Sequence, residues 1–160
     1  EMICGKRVLD YLNMVNEQNH QISVKLSAKI DKTAQAVERL QDENFRLKGQ
    51  VNQFVDDMCR KEAERYAGSG SVLLFVDGMD NDGVRKLADA VTQTCQGCCA
   101  VFSKSPDGSY KYAMGEKDGD LRQFTKEMNM KLNGRGGGKP FFVQGSVQAA
   151  EEEIRRFFEQ

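Results

Sequence analysis

The stretch Asn133-Gly-Arg-Gly-Gly-Gly-Lys139-Pro140 carries the most legible chemistry in this sequence. Backbone amides without side chains can approach a phosphate closely and close into an anion-binding nest, with Arg135 and Lys139 supplying charge. Between Leu121 and Phe142 stand five basic residues, Arg122, Lys126, Lys131, Arg135 and Lys139, against the single acid Glu127. That local excess suits a phosphodiester backbone. The same residues also fit a helix C-cap at Gly134, a flexible connector and a solvated basic face. The stretch is not a P-loop, because Pro140 rather than Ser or Thr follows the lysine, nor is it a G-x-G-x-x-G turn leading from strand to helix.

Cys95-Gln-Gly-Cys98-Cys99 has the look of half a zinc site, but a structural site takes about four ligands. The remaining candidates, Cys4, Cys59 and His20, stand at unrelated spacing. The cysteines precede an apolar run and read more simply as small buried hydrophobes. Asp77, Asp80 and Asp82 follow an apolar run, where metal or phosphate chemistry is common in α/β sheets. They fit equally a turn and a helix N-cap. There is no Ser-His-Asp set and no His-x-x-x-His, so catalysis within these 160 residues is not expected.

The elements that position these groups fall into two halves. Residues 1–68 hold no proline and three glycines, whereas residues 69–160 hold both prolines and twelve glycines, with Gly68-Ser-Gly-Ser71 at the boundary. In the first half, Val8, Leu12, Val15, Asn19, Ile22 and Leu26 form one heptad seam. Val37, Leu40, Asn44, Leu47, Val51, Phe54 and Met58 form a second. Each seam is broken by one asparagine, whose amide needs a partner and so pins register. Lys29 to Lys32 is the expected turn, with Asp31 or Thr33 as N-cap. This predicts a long, coiled-coil-like helical hairpin. Its apolar face covers its own partner helix, joins a second chain, or packs on the following half.

The second half alternates strand and helix, which predicts a small mixed-sheet α/β domain over 69–160. Ser71–Val76 reads as a buried strand, and a helix at about 81–94 places Val84, Leu87, Ala88 and Val91 inward. Residues 98–102 and 110–114 form a hairpin around Ser105-Pro-Asp-Gly108. A helix at 119–132, a short strand at 141–143 and a helix at about 147–158 complete it. Phe141 and Phe142 are core residues or rings that stack on a base.

Composition bounds the partners. The 23 Lys and Arg balance 24 Asp and Glu, so the chain is not a grossly basic clamp, although a local patch remains open. No apolar run approaches the ~18 residues of a membrane span. Five cysteines without a framework predict reduced thiols and a cytoplasmic setting. The chain opens with Glu1, which predicts a piece of a longer protein.

Gly134-Arg-Gly-Gly-Gly-Lys-Pro140 followed by Gln144-Gly145, at the end of an α/β domain, resembles the glycine-rich motif of the DHH-associated domain. That domain ends alanyl-tRNA synthetases and the long form of freestanding alanyl-tRNA editing proteins. Ile3-Cys-Gly-Lys-Arg-Val-Leu-Asp-Tyr11 is similar to the segment leading from the editing domain of those proteins into their linking helices. The resemblance implies an α+β piece without catalytic residues, whose parent deacylates mischarged tRNA for alanine. The zinc would belong to the missing editing domain, and no cofactor is expected in this chain. It implies tRNA as partner, with Gly134, Arg135, Gly136, Gly137, Gly138, Lys139 and Gly145 at the contact. It also implies a homodimer supported by the helical segment, here Asn44, Leu47, Val51, Phe54 and Met58. Ser146 and Val147 stand where many members continue with glycine. The rivals are a purely structural dimerisation module and the substrate-binding domain of a DHH-type phosphoesterase.

Overall fold

The computed structural model describes residues 5–159 and divides the chain into two units, Glu1–Asn52 and Gln53–Gln160. Ile3 and Cys4 lie outside the described residues.

Helix α1 (Lys6–Lys25) leads through a 3-10 turn (Ile30–Lys32) into α2 (Thr33–Arg65), which begins in the first unit and whose residues from Gln53 on belong to the second. With 33 residues, α2 is about 50 Å long at ~1.5 Å per residue. The turn is held by Asn19. Its Nδ2 donates to the Ile30 carbonyl at 3.1 Å, and its Oδ1 accepts from the Thr33 hydroxyl at 2.8 Å. The Thr33 hydroxyl also reaches the Ile30 carbonyl, at 3.3 Å, so this side chain ties the turn together. Asn19 thus finds its partners inside the chain and is not waiting for one across an interface. Most of each seam stays uncovered. Leu12, Val15 and Ile22 of α1 and Val37, Leu40, Leu47 and Val51 of α2 are exposed.

The second unit is built on a five-stranded mixed sheet in the order β1-β2-β3-β5-β4. The strands are β1 (Val72–Asp77), β2 (Cys99–Lys104), β3 (Tyr110–Gly115), β4 (Arg135–Lys139) and β5 (Phe142–Val147). β1 runs parallel to β2, and the other neighbours are antiparallel. Period-two alternation sorts the core into two layers. Cys99, Val101 and Ala113 pack with Val84, Leu87 and Val91 of α3 (Asn81–Thr92) and with Cys59 near the end of α2. On the opposite face Phe102, Tyr112, Met114 and Val143 pack with Leu121 and Met128 of α4 (Leu121–Lys131) and Ile154 of α5 (Glu151–Phe158).

Caps fix the helix starts. The Asp80 carboxylate accepts from the Gly83 amide at 2.8 Å. The Ala150 amide donates to Glu153 at 2.9 Å. The buried Ser103 hydroxyl is satisfied in both directions by the backbone of Met79, at 3.1 and 3.0 Å.

Two boundaries differ from the sequence expectation. The glycine-rich stretch is a β-strand, not a loop, and β5 extends to Val147, so that α5 begins only at Glu151. Val147 accordingly closes a strand, with its side chain buried in the α4 and α5 layer. Pairing with β5 supplies the backbone partners that glycines in a loop would lack.

Candidate nucleic-acid interface

β4 is an edge strand, and all five of its residues are exposed. Its partners on β5 are Ser146 for Arg135, Gly145 for Gly136, Gln144 for Gly137, Val143 for Gly138 and Phe142 for Lys139. Alternation therefore places Gly136, Gly138 and Gly145 on the α4 face, and Arg135, Gly137 and Lys139 on the α3 face. The glycines beneath α4 make room for Tyr112. A Cβ on Gly136 would strike the Tyr112 hydroxyl and the Gln144 carbonyl, and one on Gly145 would sit 2.7 Å from the same hydroxyl. That hydroxyl donates to Asn129 Oδ1 at 3.1 Å, and Asn129 Nδ2 lies 3.4 Å from the Gly136 carbonyl oxygen. A Cβ on Gly137 would meet nothing.

The nest expectation is not met. None of Gly134, Gly136, Gly137 and Gly138 takes a positive φ, and a nest needs alternating right- and left-handed residues. The left-handed position after α4 belongs to Asn133 (φ 48°), and the Gly134 amide donates to the Asn129 carbonyl at 2.7 Å. What the stretch offers instead is an extended, side-chain-free sheet edge bracketed by Arg135 and Lys139.

The basic residues that the sequence groups together are distributed over separate surfaces. Arg122 and Lys126 line a groove of about 380 Å³ between α4 and β4, together with Thr125, Asn129, Met130 and glycines of β4. Arg122 is neutralised by Asp120, just outside the counted window, with Nε at 2.9 Å and Nη2 at 2.6 Å from its carboxylate oxygens. Bonds from the guanidinium and then from the Arg122 amide hold the Asp120 carboxyl down at about 2, and the bonded carboxylate raises the guanidinium above its ordinary value. Lys131 turns away, with its Nζ 5.3 Å from the centre of the Phe157 ring. Arg135 borders a hollow on the α3 face beside Lys111 and Gln144, and Lys139 sits 5.7 Å over the Phe141 ring. The two phenylalanines divide the expectation made for them, since Phe142 packs into the α3-side core while Phe141 is half exposed.

Sequence reasoning missed Thr125, Asn129 and Met130. The i, i+3, i+7 spacing of Arg122, Thr125 and Asn129 on one helix face is the signal that was available.

The other candidates have plain structural roles. Cys95 and Cys99 are buried and Cys98 is half-buried, and burial pushes the Cys98 thiol up to about 12 and that of Cys99 further still. Asp82 pairs with Arg85 at 2.8 Å, and His20 is exposed. Among the described residues no three His, Cys, Asp or Glu side chains converge to hold a metal ion. No described helix is long and apolar enough to cross a membrane. Asn44, Leu47, Val51 and Phe54 are exposed on α2, Phe54 to 75%. Met58 is instead half-buried against the core of the second unit.

The family model described as the DHHA1 domain matches residues 68–160, the span that carries the mixed sheet and its glycine edge strand. The chain belongs to the DHHA1 domain family. Over 164 aligned residues it is 22% identical to an alanine–tRNA ligase of Psychrobacter sp. strain PRwf-1, covering 95% of this chain and 18% of that protein. The chain thus spans under a fifth of that relative. The RecJ structure from Thermus thermophilus shares the fold at a TM-score of 0.55 and 15% identity, over 87% of this chain and 21% of RecJ. The C-Ala domain of Aquifex aeolicus alanyl-tRNA synthetase aligns over 58% of this chain and 92% of its own, at 19% identity and a TM-score of 0.49. In the DHHA1 unit of this chain the glycine stretch forms the exposed edge.

Proposed function

We propose that this chain is the tRNA-binding C-terminal region of an alanyl-tRNA synthetase or alanyl-tRNA editing protein. The observation that carries this reading is the exposed β4 edge, three glycines bracketed by Arg135 and Lys139. Four residue steps of ~3.3 Å separate the two cations by about 13 Å, enough to engage different phosphates of one backbone. The near-neutral chain implies modest affinity, with RNA gripped by shape and backbone charge. Membership of the DHHA1 family and likeness to alanine–tRNA ligases support tRNA as the nucleic acid, and tRNA for alanine as the preferred one.

The finer features are proposed alongside. The parent deacylates mischarged tRNA in the cytoplasm, and this piece does no chemistry itself. The zinc of that reaction belongs to the editing domain. The described residues of this chain do not fit a zinc ion, since no three ligating side chains converge. The chain also dimerises through α2, a reading supported by the uncovered row of Leu47, Val51 and Phe54. The fold shared with RecJ supports a rival in which the domain holds a nucleotide substrate.

The test is a titration of labelled tRNA for alanine and of an unrelated tRNA at several salt concentrations. Affinity should fall with salt, and Arg135→Ala with Lys139→Ala should flatten the log–log slope by about 1.4 to 1.8 for two lost phosphate contacts. An unchanged slope in the double variant would remove β4 from the interface.

A further inference from the structure

We propose that β1, the sheet edge opposite the glycine strand, takes up an extended basic and apolar peptide segment of a protein partner as a sixth strand. β1 has a neighbour on one side only. The Val72 amide donates to the Cys98 carbonyl at 2.8 Å, and Val72 stands opposite Cys99 in the parallel register. A parallel ladder bonds alternate residues, so Val72, Leu74 and Val76 direct their N–H and C=O groups to β2, while Leu73, Phe75 and Asp77 turn theirs outward. Among the described residues those outward groups find no backbone partner. Natural edges are commonly blunted by Pro, Lys or a bulge. The run Val72-Leu-Leu-Phe-Val76 holds no Pro or Lys, pairs with β2 without interruption, and is half-buried from Leu73 to Val76.

The side chains beside this edge select the strand it accepts. Leu73 and Phe75 join the α4 and α5 layer of the core. Next to Leu73, a groove of about 470 Å³ is lined by Ala100, Leu121, Phe124 and Phe158 and by the carboxylates Glu116 and Glu159. The neighbouring cations are committed elsewhere. Arg122 lies 2.6 Å from Asp120, Arg155 lies 2.6 Å from Glu151, and Lys117 Nζ lies 2.6 Å from the Gln93 carbonyl. An apolar lining with unmatched carboxylates fits the stem and head of a lysine or arginine. On an added strand, such a residue opposite Leu73 lays its methylenes on Phe124 and Phe158 and brings its charge to Glu116. Asp77, exposed at the far end of β1 and on the same face, matches a second cation four positions along. A second copy of this chain is a poor occupant. Antiparallel pairing of two β1 strands about Leu74 sets Asp77 of one copy opposite Ser71 of the other, beside Glu116 and Glu159, carboxylate against carboxylate.

The probe is the acetylated and amidated peptide Thr-Lys-Val-Thr-Val-Lys-Thr, which reads the same in either strand direction, and its counterpart with Glu for Lys is the control. Both are titrated into the isotope-labelled chain at low salt, with amide exchange followed by NMR. The lysine peptide should bind and slow exchange severalfold at the outward amides of Leu73 and Phe75, whereas Leu74, already bonded to β2, should change little. The glutamate peptide should bind roughly tenfold more weakly. Glu116→Gln with Glu159→Gln should weaken the lysine peptide by about two- to tenfold. Lysine-peptide binding that leaves Leu73 and Phe75 unprotected overturns the proposal, as does equal affinity for the two peptides or an unchanged affinity in the double variant. Absence of binding at millimolar peptide overturns it too. Outward amides that are protected in the free chain and lose that protection on dilution would replace the peptide by a second copy, and so refute it as well.

Discussion

Adjacent glycines of β4 should respond oppositely to the same substitution. Gly136 and Gly137 follow one another in an edge strand, and glycine is disfavoured there relative to alanine by roughly 0.5–1 kcal/mol of backbone entropy. At Gly137 a Cβ meets nothing, so Gly137→Ala should realise that gain. At Gly136 the Cβ would collide with the Tyr112 hydroxyl and the Gln144 carbonyl and lie 2.7 Å from Gly145 Cα. Two of those contacts are backbone, and Tyr112 is 2% exposed inside the α4-side core. Relief requires moving β4 off β5 or tilting the ring, which breaks the 3.1 Å bond to Asn129. Overpacking of this kind costs about 1–3 kcal/mol, and the lost hydrogen bond about 1 kcal/mol more. The two variants should therefore differ by about 3 kcal/mol, or roughly 10–20 °C in melting temperature for a domain of this size. Urea denaturation followed by tyrosine fluorescence measures it, since Tyr66, Tyr110 and Tyr112 all lie in the second unit. Equal midpoints for Gly136→Ala and Gly137→Ala would refute the assignment of these residues to opposite sheet faces.

Asp120 should titrate near pH 2 by carboxyl NMR. Its folded value lies below the unfolded one, so its stabilising contribution is complete above about pH 4 and is lost as the pH falls toward 2. Asp120→Asn should remove that acid limb and, by releasing Arg122 into the groove, steepen the salt dependence of RNA binding; an unchanged slope would mean Arg122 never reaches RNA. Light scattering should give a dimer for the wild-type chain and monomers for Leu47→Glu and Phe54→Glu, and a monomeric wild type would remove α2 as a self-association surface.

Much of the domain was legible because its signals are local. Val84, Leu87, Ala88 and Val91 recur at helical spacing and all are buried. The Ser105-Pro-Asp-Gly108 turn declared its hairpin, with Gly108 at φ 82° and Asp107 accepting from the Ser109 amide at 3.0 Å. Asp80 served as the N-cap its position before α3 suggested. The β4 strand was not legible. Gly-Gly-Gly has no side-chain periodicity and low strand propensity, and it becomes a strand only because β5 pairs with it. The same blindness moved the start of α5, because Val147 fits the apolar face of a helix as well as the end of a strand.

The sequence by itself determined the two-part composition, the helices with their seams, the Asp80 cap, the hairpin and the position of the glycine-rich stretch. Each depends on residues within a few positions of one another. Only the tertiary structure decided which surface each candidate residue occupies. The five cations form one cluster on paper, yet strand alternation sends Arg135 and Lys139 to the α3 face, and the rotation of α4 leaves Lys126 in the groove and Lys131 beside Phe157. Asp120 neutralises Arg122 through a side-chain geometry that counting charges between two positions cannot register. Thr125, by type an ordinary helix residue, became a buried hydroxyl without a partner. Burial and pairing depend on what the rest of the chain brings to a residue, and that is set by packing across the sheet.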